Sequence, residues 1–227
     1  MMSKARVKSL NAKYQKLFLR IKDKRSRKVV FLSHCILNEN TRFLGGACRP
    51  GCVSEIVTQC VEKNIGIVQI PCPEQKAWGG VIKRLLLMAY GAKGTFLYTC
   101  RYIAIPLILL YTKWIYGWMA RQTAHQIKDY LDSGFSLHGV VGIDGSPTCG
   151  VSQTLDFKKS FELLAHININ TVTNVDANKV VHECLINGKG LFIKALQTKL
   201  KREKIDIRFW GHNLVAELSD KSSNVLL

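Results

Sequence analysis

A chain of 227 residues that is 47% hydrophobic carries enough apolar side chains for one substantial core and too few for two full domains. Its 33 Lys and Arg against 16 Asp and Glu leave a net charge of +17, which favours anionic surroundings such as nucleic acid, a phospholipid surface or an anionic substrate. The first thirty residues lack the continuous apolar core of a secretory signal, so the eight cysteines are expected to be reduced thiols, metal ligands or catalytic groups in a cytoplasmic protein rather than a disulfide framework.

Residues 1–28 hold eleven basic side chains and one acidic one. Val7, Leu10, Tyr14, Leu17, Phe18 and Ile21 recur at three- and four-residue spacing, predicting a basic amphipathic helix over 1–27. Such a helix packs on the domain, lies on the anionic inner face of a membrane, or binds RNA. Val29–Ser33 reads as a buried strand closed by His34-Cys35, and 36–51, with its asparagines, glycines and proline, as a loop. Cys52, Val53, Ile56, Val57, Cys60 and Val61 mark one face of a helix. Ile67–Ile70 forms the next strand and ends in Pro71-Cys72-Pro73-Glu74. Strand, loop, helix and strand in that order predict a βαβ unit and a parallel sheet.

After Trp78-Gly79-Gly80, an apolar helix is predicted over about 81–90. Residues 102–112 carry no charge, and between Arg101 and Arg121 only Lys113 does. With Trp114, Tyr116 and Trp118 at its end, this run predicts a long hydrophobic helix, either buried or dipped into a membrane surface. It forms an apolar insertion over 93–120 between two strands of one sheet, which argues against a membrane span. An ordinary helix follows over 121–132. Val140, Val141 and Ile143 then mark a strand that stops at Asp144-Gly145-Ser146-Pro147-Thr148-Cys149-Gly150, a tight loop with a cysteine at its tip. Residues 162–175 read as loop or edge strand, 176–186 as a helix capped by Asp176, 191–203 as a helix and 205–209 as a last strand. His212 is expected in the loop beyond it, and 219–227 as a patternless tail. The whole predicts one three-layer α/β domain over 28–218, a central and mostly parallel sheet flanked by helices. Cys60, Cys100 and Cys184 are expected to be small buried hydrophobes.

Cys35, Cys72 and Cys149 each leave an apolar run, at spacings of 37 and 77 residues. In a parallel sheet all three reach the same edge, where active crevices form. Three thiolates hold a zinc ion with an open fourth position, or an iron–sulfur cluster with one iron lacking a protein ligand. Spacing alone leaves both open: no C-x-x-C pins the metal, and Cys48-x-x-x-Cys52 offers a rival pair.

The segments Ser33-His34-Cys35-Ile36-Leu37-Asn38, Pro71-Cys72-Pro73-Glu74 and Gly145-Ser146-Pro147-Thr148-Cys149-Gly150 resemble the motifs of the 2-thiouracil desulfurase-related family, in its desulfidase branch, over about 28–215. The resemblance implies a [4Fe-4S] cluster ligated by Cys35, Cys72 and Cys149, with a free iron to bind the sulfur being removed, and a substrate-facing role for Glu74. The chemistry it implies is non-redox desulfuration of a thiocarbonyl compound, with Glu74 activating water or returning its proton. Ser146, Thr148 and the backbone N–H groups of Gly145 and Gly150 are candidates to hydrogen-bond cluster sulfides. Ser33, His34 and His212 are candidates to stand around the cluster, and Arg42 to anchor an anionic or carbonyl group. Asn38 stands where the better-known members have glycine. The basic amino end and the apolar 102–118 segment lie outside the family pattern, pointing to a substrate that is larger, lipophilic or delivered from a membrane. The rival readings are a zinc-containing membrane-peripheral or RNA-binding protein, and a sulfur or metal carrier without turnover. No phosphate-binding glycine pattern occurs, and no specific nucleic-acid partner is expected.

Overall fold

The structure, a computed structural model, describes residues 4–43, 45–85, 91, 93–168 and 170–218. In chain order it contains α1 (Lys4–Arg20), β1 (Lys28–Ser33), α2 (His34–Leu37), a single 3-10 turn at Glu39–Thr41, α3 (Ser54–Glu62), β2 (Gly66–Ile70), α4 (Pro73–Ala77), α5 (Phe96–Thr99) and α6 (Arg101–Asp132). Then come β3 (Ser136–Asp144), β4 (Gln153–Leu155), α7 (Phe157–Ala165), α8 (Asn174–Cys184), β5 (Leu185–Asn187), α9 (Leu191–Arg202), β6 (Phe209–Asn213) and α10 (Leu214–Leu218).

All but the first residue of β1 are buried, as a central strand covered on both faces requires. It pairs in parallel with β2 on one side and β3 on the other, and β3 pairs in parallel with β6, giving the order β2-β1-β3-β6. Alternate residues feed two cores. Phe31 and Val140 join Trp78, Tyr116, Ala120, Ile127, Phe192 and Leu196 of the layer formed by α4, α6 and α9. Val30, Leu32, Val141 and Ile143 join Ile36, Val53, Ile56 and Leu214 of the layer formed by α2, α3 and α10. This is the three-layer α/β domain the periodicity predicts. Because β2 lies to one side of β1 and β3 to the other, the chain reverses direction across the sheet between β1 and β3. The crevice of an open parallel sheet forms at such a switch point.

Several elements differ from expectation. The chain does not loop after β1 but turns at once into α2, because Ile36 is drawn into the core and its carbonyl accepts from Val53 N. Residues 102–118 and 121–132 form one continuous helix, α6, despite Pro106. The polar stretch after 151 folds into β4 and α7, and the end of the helix predicted to 186 is instead β5, antiparallel to β4 in a small second sheet. Helix α8 starts two residues earlier than predicted. Its cap is Thr173, and Asp176 is the third residue of the capping box, accepting from Thr173 N while Thr173 Oγ1 accepts from Asp176 N. The last strand is shifted: Arg208 O accepts from Val140 N, so the ladder runs over 209–213 while Ile205 and Ile207 pack on the α6 side from an extended lead-in. The predicted helix over 81–90 begins as turns at 81–83, and its remainder from 86 lies outside the described residues, as does the tail over 219–227. Cys60 and Cys184 are fully buried, whereas Cys100 caps α6 and is half-buried.

Candidate functional site at the carboxyl edge of the sheet

Three neighbouring parallel strands each release a cysteine at the same edge. Cys35 is the second residue of α2, directly after β1. Cys72 caps α4, whose first residue is Pro73, a position where proline's missing N–H costs nothing. Cys149 sits in the loop leaving β3, which is folded tightly on itself. Ser146 Oγ accepts from Thr148 N (3.2 Å) and Cys149 N (3.1 Å), and Cys149 O accepts from Ile143 N (3.0 Å). Asp144 Oδ1 gathers the N–H groups of Val151 and Ser152, each at 2.8 Å. Two glycines let other backbone come this close. A Cβ on Gly142 would stand 2.2 Å from Cys149 O, and one on Gly190 would stand 2.4 Å from Thr148 C and O.

The three sulfurs lie within electrostatic reach of one another. Burial, and then the neighbouring Cys72, push the Cys35 thiol up to about 12. Burial, and then Glu74, push Cys72 up to about 11, against the pull of the Gln75 and Glu74 N–H groups at the start of α4. Burial pushes Cys149 well above the ordinary thiol range, with Cys35 and Cys72 adding to it. Protons therefore stay on all three sulfurs unless a cation joins them, since coordination deprotonates a thiol outright. Ser33 Oγ is buried without a partner of ordinary hydrogen-bond geometry, and its hydroxyl is close enough to Cys149 to favour the thiolate. Among the described residues, no three His, Cys, Asp or Glu side chains are grouped closely enough to hold a metal ion as they stand.

Beside the thiols stands a polar chain that spacing did not reveal. Thr148 Oγ1 donates to Glu74 Oε1 at 2.7 Å. Its proton being committed there, Thr148 accepts from the Tyr116 hydroxyl at 3.0 Å. Lys83 Nζ lies 2.7 Å from the other carboxylate oxygen of Glu74. Burial works to lower the Lys83 pKa, but the charge and hydrogen bond of Glu74, with the Cys72 and Cys35 sulfurs, outweigh it and raise it. Lys83 holds this place in a left-handed backbone conformation, φ +52°, a form of local strain that concentrates at working sites. Trp78 seals the chain from behind: its indole donates to Thr112 Oγ1 at 3.0 Å and its ring meets Tyr116 and Phe157.

The remaining predicted residues are placed differently. Gly145 N donates to Gln153 O and Gly150 N to Ser146 O, so neither is open to a ligand. His34 is half-buried, with Nδ1 2.5 Å from Gln69 Nε2, and burial lowers its pKa. His212 is not in a loop but fully buried in β6, opposite Ile143, with Nε2 2.7 Å from Glu217 Oε1. Arg42 is buried between Glu39 and Glu217, at 3.1 and 3.2 Å, so the anions it meets here belong to the protein. Arg49 joins the same two carboxylates, and Glu39 Oε2 also accepts from Cys48 N and Arg49 N. This network, with Lys83 and Tyr116, was invisible to motif reading because its members come from segments without common periodicity.

No family model matches the chain, and no solved structure matches it. Over 50 residues it is 36% identical to a protein of Methanocaldococcus jannaschii described as uncharacterized protein MJ0003. That alignment covers 22% of this chain and 32% of the relative, so the chain matches about a third of the relative's length.

Proposed function

We propose that this chain is a desulfidase that exchanges the sulfur of a thiocarbonyl compound for oxygen, with Cys35, Cys72 and Cys149 as protein ligands of a [4Fe-4S] cluster. The observation that carries the reading is that three motif cysteines, far apart in the chain, come within electrostatic reach of one another at one edge of the sheet, near the Glu74–Lys83 pair. The donor set suits the group in kind: three sulfurs that stay protonated without a cation, and a buried Ser33 hydroxyl beside Cys149 able to donate to sulfur. When bound, such a cluster supplies a Lewis-acidic iron free of protein ligands, which polarises a thiocarbonyl.

The protein's own part is proton handling. Glu74 accepts a proton from water as it adds to the thiocarbonyl carbon, and returns it as the carbon–sulfur bond breaks. Water supplies the oxygen, sulfur leaves as hydrosulfide, and no electrons change hands. Lys83 pairs with one oxygen of the carboxylate, and Tyr116 through Thr148 fixes the orientation of the other. Ser146 shapes the loop that presents Cys149.

The test is purification without oxygen, with iron and acid-labile sulfide measured, followed by a screen of thiolated compounds for hydrosulfide release. About four irons and four sulfides per chain are expected, together with turnover on a thiocarbonyl. One zinc and no iron would overturn the proposal.

A further inference from the structure

Helix α6 is far longer than the sheet it covers. Its 32 residues span about 48 Å, against about 30 Å for the nine residues of β3. All its fully buried residues, from Thr112 to Ile127, lie in the later two-thirds. The earlier turns run past the carboxyl edge of the sheet, the edge that carries the thiols. There Tyr102, Ile103, Leu107, Leu110, Trp114 and Trp118 form a stripe along one side of the helix, each 48–72% exposed. Phe96 of α5, the short helix just before α6, is 82% exposed as well. Such a face is costly in water and marks an interaction surface.

Charge identifies what covers it. From Gln75 to Lys128 the sequence contains eight Lys and Arg and no Asp or Glu. Several of these cations border the stripe. Lys76 lies over the Trp118 ring at 5.9 Å, Arg101 stacks on Tyr98 and Tyr102 at 4.0 and 4.3 Å, and exposed Lys113 precedes Trp114 in the stripe. A second copy of the chain would bring the same positive field against this one, and like charges face to face oppose association. An anionic bilayer satisfies both features: acyl chains take the apolar stripe, headgroups take the Lys and Arg, and tryptophans sit at the boundary.

We propose that the exposed face of α6 between Tyr102 and Trp118, with Phe96, docks in the plane of an anionic phospholipid surface. The helix lies in the interface rather than crossing it, because its later turns are held by the sheet through Met119, Ala120, Ala124 and Ile127. The inner face of the docked turns bears Thr112 and Tyr116, which touch Trp78 and Thr148, so the Glu74 side of the molecule is brought to the membrane. The proposal stands on surface and charge alone and is independent of the metal reading.

The full chain is sedimented with vesicles of phosphatidylcholine, or of phosphatidylcholine with about one-third phosphatidylglycerol. Partitioning at least about tenfold higher on the anionic vesicles is expected, falling by about tenfold in half-molar salt. The variant Leu107→Ser/Leu110→Ser/Trp114→Ser should lose about tenfold or more of the binding with an unchanged melting temperature, since those side chains face solvent. A second variant, Lys76→Gln/Lys113→Gln, should weaken binding to anionic vesicles and leave any residual binding to neutral ones unchanged. Equal binding to neutral vesicles, or none to anionic ones, would overturn the proposal. So would a dimer that the triple variant dissociates, which would make the stripe a self-interface, or resistance to carbonate extraction, which would make α6 a span.

Discussion

Lys83 meets Glu74 at 2.7 Å, nine residues away in sequence, across the turn that carries Trp78-Gly79-Gly80. The pair is mostly shielded from water, with side chains 10% and 14% exposed. An ion pair in such surroundings is weak support for stability, because desolvation offsets much of the attraction. Its position beside Cys72 and Thr148 suits a group whose proton is exchanged during a reaction.

Replacing Lys83 with Gln should therefore lower the rate of hydrosulfide release by about tenfold to a hundredfold, because Glu74 loses the partner that fixes one of its carboxylate oxygens. Glu74→Gln should cost more, about a hundredfold or greater, with iron content unchanged. Full turnover of Glu74→Gln on a thiolated substrate, with the cluster intact, would remove the carboxylate from the mechanism.

The ligand assignment is checked one sulfur at a time. Cys35→Ser, Cys72→Ser and Cys149→Ser should each purify with little or no iron. Cys60→Ser should keep its iron, because Cys60 is fully buried in α3, in the core cluster with Val53 and Ile56, and does not lie at the carboxyl edge of the sheet. Iron retained in any of the first three, or lost in the fourth, would contradict the proposed ligand set.

Acid stability should depend on Glu217. Burial works against its charge, but His212, Arg49 and Arg42 outweigh that and hold the carboxyl at about 2, below its ordinary 4.5. A depressed folded-state value stabilises the protein above the unfolded-state value, and that contribution is lost as pH falls from about 4.5 toward 2. The side chain is only 4% exposed, so the contribution is on the order of 3 kcal/mol. Denaturant midpoints of the wild type should fall steeply across that window. Those of Glu217→Gln should start lower and change less, and equal slopes for the two proteins would contradict the assignment.

The Cys149 loop should tolerate no side chain beneath it. Gly142→Ala places a methyl group against Cys149 O, and Gly190→Ala places one against Thr148. Each should cost about 2–3 kcal/mol or more and displace the loop. Gly51→Ala, where nothing lies within 4 Å, is the control and should change stability by less than about 0.5 kcal/mol. Melting curves of the three variants decide this directly.

What was legible in the sequence follows from local rules. Apolar runs with turns beyond them mark β1, β2 and β3, and helical periodicity marks α3 and α9, so a parallel sheet and a shared cysteine edge follow from order alone. The local rules failed where packing overrides them. Ile36 is pulled into the core and closes a single helical turn, His34–Leu37, at the head of the predicted loop, and the ladder with β3 moves the last strand four residues on, burying His212. Arg42 reads as an anchor for an anionic or carbonyl group, yet Glu39, three residues before it, and Glu217, from a distant segment, already enclose it. Sequence by itself determined the class of fold, the three thiols and the unbroken positive charge around the apolar helix, because these depend on residue type and spacing. Only the tertiary structure decided that Lys83, Thr148 and Tyr116 gather on Glu74 and that the stripe of α6 stays uncovered, because contacts between segments tens of residues apart are set by how the layers pack.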